Sequence, residues 1–118
     1  VGVNILHELS LCQHVIDIIT QQAAVQHYRC VKKICFEIGV LANVEKSVFM
    51  FSFDVAAQDT IAEGALLEFI DIPAQSVCKA CGQTVLAYQW FDTCSLCGCD
   101  QLTVQTGDEF RIKTLEVE

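Results

Sequence analysis

Eight cysteines stand in this chain of 118 residues, and four of them form two copies of one pattern, Cys78-Lys79-Ala80-Cys81-Gly82 and Cys94-Ser95-Leu96-Cys97-Gly98. Two thiolates two residues apart chelate one ion only where the chain folds back tightly. A glycine after the second cysteine takes the positive φ that such a turn needs. One Cys-x-x-Cys pair is compatible with redox chemistry, but two pairs supply four thiolates and complete a tetrahedral site. With every coordination position filled by protein, no place is left for a reacting molecule, so structural zinc is the expected occupant. Iron in a rubredoxin-like electron carrier, whose knuckles share this form, is the chemical alternative. Cys97-Gly98-Cys99 offers a further sulfur, yet the two-residue spacing favours Cys97 as the ligand. Cys12, Cys30 and Cys35 read as small packed hydrophobes.

At the other end of the chain stands His7-Glu8. Spacing alone makes this pair a solvated helix start, with metal binding the less common reading. Glu37, Asp54 and Glu63 read as solvated, and nothing pairs them as acid and base. The sequence carries no glycine-rich phosphate loop, nucleophile elbow or triad pattern, so a non-enzymatic protein is expected.

The length allows one core with a small satellite, and hydrophobic residues at 53% with a single proline exclude a disordered chain. The formal charge of −8, with Arg29, Lys32 and Lys33 the only basic cluster, excludes a nucleic-acid binder of the basic-stripe kind. No run approaches a membrane span, and Val1 to Leu6 is too short for a signal segment. The thiols are therefore expected to be reduced, cytoplasmic and available for metal.

The elements that must position these residues follow from periodicity. Cys12, Val15, Ile16, Ile19 and Ala23 recur at helical spacing, predicting a helix from Leu9 to about Val25 with His7 just before it. Ile34, Phe36, Ile38 and Val40 alternate with Lys33, Cys35 and Glu37, predicting a half-buried strand over Lys32 to Val40 that ends near Gly39. Val44, Val48, Phe51 and Val55, widened by Phe49 and Phe53, predict a second helix from Glu45 to Ala57. Ala65 to Ile72 reads as a strand stopped by Pro73. Short strands are expected over Val85 to Phe91 and Leu102 to Val104, and Thr106-Gly107-Asp108 is a turn before a strand from Phe110 to Val117. Val77, Val85, Leu86, Tyr88, Trp90, Phe91 and Leu96 supply too small a core for the cysteine region, which therefore needs its metal to fold. The expected class is α+β, two helices packed on a small mixed β-sheet with an inserted zinc-ribbon-like module. Residues 1–72 plus 108–118 would form the main domain, and 73–107 the zinc-ribbon-like domain.

Several landmarks occur in a characteristic order: Leu6-His7-Glu8-Leu9-Ser10-Leu11-Cys12-Gln13, Glu37-Ile38-Gly39, Phe51-Ser52-Phe53, Ala62-Glu63-Gly64, the two knuckles, Thr106-Gly107-Asp108 and Leu115-Glu116-Val117-Glu118. Together they resemble the HypA/HybF family of hydrogenase nickel-incorporation proteins, from Leu6 to the end. The resemblance implies a nickel metallochaperone that delivers Ni(II) to the active site of [NiFe] hydrogenase, with a structural Zn2+. It implies as partners the hydrogenase large subunit precursor and a nickel-maturation GTPase of the HypB type, with the chain a monomer or weak homodimer. Residue by residue, it places nickel at His7 and Glu8, zinc at Cys78, Cys81, Cys94 and Cys97, and gives Glu45 as a weaker nickel candidate. A zinc-ribbon protein-interaction adaptor without nickel is the remaining alternative.

In the family the histidine directly follows the initiator methionine, so the terminal amine, an amide nitrogen and the imidazole form fused chelate rings suited to Ni(II). Here Val1 to Ile5 precede Leu6, which takes the methionine's place. The expectation is a site rebuilt without the amine, or a cellular protein that begins with methionine at position 6.

Overall fold

The computed structural model describes residues 5–118, with side chains from His7 onward. The reading of the chain start rests in part on Val1 to Asn4, which lie outside these described residues. The elements run α1 (Ile5–Gln26), β1 (Val31–Gly39), α2 (Lys46–Ala56), β2 (Leu66–Ile72), β3 (Ala74–Cys78), β4 (Thr84–Ala87), β5 (Leu102–Val104) and β6 (Phe110–Val117). The fold is α+β, with two three-stranded sheets ordered β2-β1-β6 and β4-β3-β5. Bonds from Arg29 N–H to Glu118 O and from Gly39 N–H to Glu109 O pair ascending with descending positions, so β1 and β6 run antiparallel.

Two compact units divide the chain. The first runs to Phe36 and adds Val44–Glu68 and Ile112–Glu118, while the second comprises Glu37–Asn43 and Phe69–Arg111. In the first unit α1 and α2 pack on each other. The buried face of α1 is Glu8, Cys12, Val15, Ile16 and Ile19, so the predicted stripe is observed with a carboxylate added at its top and Ala23 only half-buried at its foot. The helix begins earlier than periodicity suggests and takes in His7, which therefore lies within α1 and not before it. Phe49 anchors α2, meeting Phe36 of β1 edge-on with centroids 5.3 Å apart and stacking on Phe53 at 6.1 Å.

The face of α2 differs from the expected one. Phe49, Ser52 and Phe53 are buried, whereas Phe51 and Val55 are exposed. Both sets fit a 3.6-residue period, and contact with Phe36 selects the first. On β1, Ile34, Phe36 and Ile38 point inward as expected, but Val40 lies past the strand's end and is exposed.

In the second unit β3 is an additional strand, immediately after Pro73. It pairs antiparallel with β4 through Ala74↔Ala87 and Ser76↔Val85, and with β5 through Ser76↔Val104 and Cys78↔Leu102. Its buried residues are Ala74, Ser76 and Cys78, too small to give a hydrophobic signal. Leu41, Ala74 and Ala87 form one cluster with Leu102 and Val104, and Cys78, Val85 and Cys94 form another. The large residues expected in this core, Leu86, Tyr88, Trp90, Phe91 and Leu96, are all exposed, Phe91 at 94%. The predicted strand over Val85 to Phe91 stops at Ala87. Beyond it Asp92 accepts the N–H groups of Tyr88 and Gln89 at 2.6 and 3.1 Å and closes a turn.

Candidate metal centres

The second unit builds its first knuckle from a strand end and its second from a turn between β4 and β5. Cys78 closes β3, the chain reverses through Gly82 at φ 74, and Gly82 N–H reaches back to Cys78 O at 2.8 Å. The second knuckle repeats this turn: Gly98 stands at φ 80 and its N–H donates to Cys94 O at 2.8 Å. In both, positive φ at the glycine permits the return that a side chain would strain.

The two turns bring Cys78, Cys81, Cys94 and Cys97 together, with all four sulfurs within 4.8 Å of one another. Cys78 Sγ lies 3.5 Å from Cys97 Sγ, and Cys81 Sγ 3.8 Å from Cys94 Sγ. A tetrahedron of sulfurs around zinc at the usual ~2.3 Å bond length has edges of about 3.8 Å, so the donor set and its size both fit the ion. Cys78 and Cys94 are buried and Cys97 is exposed.

Electrostatics prepare the group for a cation. The backbone N–H groups of Cys81 and Ala80 pull the Cys78 thiol down to about 6, against opposing desolvation. Those of Cys97 and Leu96 lower Cys94 in the same way, Leu96 N–H lying 3.4 Å from Cys94 Sγ. Cys97 is pushed up to about 12: the Cys99 N–H draws it down, but the neighbouring sulfurs and burial outweigh that pull. Four thiolates this close repel one another until a divalent ion joins them. Cys99 lies outside this sulfur group and packs beside it, its own Sγ accepting Gln101 N–H at 3.4 Å.

The first unit gathers the other three candidates. His7, exposed on the first turn of α1, has Nδ1 3.4 Å from Glu8 Oε2. The same Oε2 accepts the backbone N–H of Glu45 at 3.2 Å, at the entry to α2. Glu45, far along the chain, reaches this carboxylate through its backbone alone, while its own carboxylate accepts Ser47 Oγ at 3.5 Å. Glu8 is not the solvated residue its type suggests: its side chain is 2% exposed, and Oε1 has no hydrogen-bond partner among the described residues. Helical spacing carries a signal of this, because Glu8 precedes Cys12 by one turn on the buried stripe. One turn below, burial and then the Glu8 charge push the Cys12 thiol up to about 12, and it donates to Phe49 O at 3.5 Å. That leaves Cys12 a packed thiol and no thiolate ligand.

Comparisons with known proteins identify the family. A family model described as "Hydrogenase/urease nickel incorporation, metallochaperone, hypA" matches residues 6–117. A hydrogenase maturation factor HypA of Acidithiobacillus ferrooxidans is 47% identical over 113 residues, covering 96% of this chain and 100% of the relative. One of Legionella pneumophila is 43% identical with the same coverage. The solution structure of the Ni metallochaperone HypA from Helicobacter pylori superposes with a TM-score of 0.68 at 20% identity, covering 93% of this chain and 96% of that one, which supports the fold. By its sequence from residue 6 onward, the chain belongs to the HypA family of hydrogenase and urease nickel-incorporation metallochaperones.

Proposed function

We propose that this protein is a non-enzymatic nickel metallochaperone of [NiFe] hydrogenase maturation, which takes up Ni(II) at the start of α1 and keeps structural zinc in the cysteine knuckles. The imidazole of His7 would be the cargo donor, with the Glu8 carboxylate beside it and Glu45 the weakest candidate. Zinc would be held by Cys78, Cys81, Cys94 and Cys97. Family membership supports the activity. The observation that carries the site is the exposed His7 imidazole with Nδ1 3.4 Å from Oε2 of Glu8, an oxygen that also accepts the backbone N–H of Glu45.

The chemistry of the two centres suits different tasks. Four sulfurs close a zinc site on every side, whereas an exposed imidazole beside a carboxylate offers N and O donors from which nickel can move on. No described helix is long and apolar enough to cross a membrane. We place the protein in the cytoplasm, working with the hydrogenase large subunit precursor and a HypB-type nickel-maturation GTPase. The net charge of −8 would favour basic faces on those partners.

Nickel titration by calorimetry, with metal content by mass spectrometry, tests the reading. His7→Ala is expected to abolish specific nickel uptake while one zinc per chain remains. Nickel bound equally well by this variant would sink the assignment. Visible absorption from iron in the knuckles would favour electron transfer instead.

A further inference from the structure

The start of α2 has no cap of its own. Glu45 stands at its N-cap with φ −84 and ψ 108, but its side chain makes no cap hydrogen bond. In a capping box the third helical residue is an acid or amide that reaches back to the N-cap N–H. Here that residue is Val48, which has no acceptor to offer. The Glu45 N–H is nevertheless satisfied, by Oε2 of Glu8 on α1 at 3.2 Å.

Burying a carboxylate is costly unless its oxygens are matched, and Glu8 is almost wholly buried with Oε1 unpartnered among the described residues. The positive end of the α2 dipole favours an anion at this place. The same Oε2 lies 3.4 Å from His7 Nδ1. One oxygen therefore touches both the imidazole on α1 and the N-cap amide of α2.

We propose that Glu8 is a positioning residue: from α1 it supplies the acid that a capping box would carry at Val48, and so holds the entry of α2 beside His7. This rests on the reading of His7 as the nickel donor. Glu8 then serves uptake by fixing the separation of the two helix starts, and no bond from its carboxylate to nickel is required.

The test uses the full, zinc-loaded chain. Amide hydrogen exchange at Glu45 by NMR and nickel titration by calorimetry are compared for wild type, Glu8→Ala and Glu8→Gln. Glutamine keeps an oxygen acceptor at the same reach but loses the charge. Glu8→Ala should exchange the Glu45 amide about tenfold faster or more and weaken nickel uptake, while Glu8→Gln restores Glu45 protection and most of the nickel affinity. Unchanged Glu45 protection in Glu8→Ala overturns the cap. Restored protection without restored nickel uptake in Glu8→Gln overturns the positioning role and makes the carboxylate a ligand. Should Glu8→Ala fail to fold, Glu8→Gln against wild type decides by the same two readouts. If His7→Ala still binds nickel the cargo reading fails, and Glu45 exchange decides the cap separately.

Discussion

The sulfurs of Cys78 and Cys97 lie 3.5 Å apart, and their proton affinities are driven in opposite directions, Cys78 to about 6 and Cys97 to about 12. Without metal, backbone N–H groups tilt this pair toward thiolate at Cys78, and the crowded sulfurs tilt it toward thiol at Cys97. Zinc must therefore expel at least one proton on binding. Lowering the pH through 6 protonates Cys78 as well, so the stability that zinc confers on the second unit is present at neutral pH and is lost on acidification. Calorimetry in buffers of different ionisation enthalpy should show proton release at pH 7, and a chelator should strip zinc increasingly fast below pH 6. Uptake with no proton released would contradict this account.

Gly39 gives a second prediction, within the second unit. A Cβ at Gly39 would stand 2.0 Å from the backbone oxygen of Gly107, whose carbonyl also accepts Leu41 N–H at 2.7 Å. Backbone on both sides leaves nothing flexible to give way, so Gly39→Ala should cost about 3 kcal/mol or more. Gly64→Ala meets open space and carries only the strain of φ 77, about 1–2 kcal/mol. Urea unfolding of the zinc-loaded variants measures both, and equal losses would refute the packing argument.

Truncation on α2 separates its two apolar faces. Phe49 is fully buried between Phe36 and Phe53, whereas Phe51 is 70% exposed. Phe49→Ala should destabilise by about 3–5 kcal/mol, and Phe51→Ala by ~0.5 kcal/mol or less. Thermal unfolding of the pair, followed by helical circular dichroism, checks the order. A reversal would show that the outward face is the one packed.

That helix also shows what periodicity can decide. On α1 Cys12, Val15, Ile16 and Ile19 recur at helical spacing with Gln13, Asp17, Gln21 and Gln22 elsewhere, so spacing identifies them as core although Ile18 and Val25 are exposed. On α2 Val44, Val48, Phe51 and Val55 offer a stripe as regular as the true one, and buried Ser52 disguises the true one further. In the second unit β3 escapes a reading by hydrophobicity because its inward residues are alanine, serine and cysteine, while the large aromatics nearby face solvent. The cysteine quartet is legible because ligand spacing is local to each knuckle. Glu8 and Glu45 are candidates by family resemblance, but no sequence pattern reveals their contact, since it arises only when α1 packs on α2.

Cys97 and Cys99 present the last ambiguity of the sequence, and the structure turns it into a measurement. Cys97 belongs to the group of sulfurs within 4.8 Å and Cys99 does not. Cys99 instead contributes its backbone: its carbonyl accepts Cys94 N–H at 2.7 Å, and that bond survives replacement of the side chain. Cys99→Ser should therefore keep one zinc per chain, losing only the weak bond from Gln101 N–H to sulfur. Cys97→Ser removes a ligand and should weaken zinc binding. With cobalt in place of zinc, charge-transfer absorption should fall by about a quarter for Cys97→Ser, as four thiolates become three, and should hold for Cys99→Ser. Full intensity in Cys97→Ser, lost again when Cys99 is also replaced, would mean that Cys99 moves in as the fourth ligand. That result would make the second knuckle more pliable than its Gly98 turn implies.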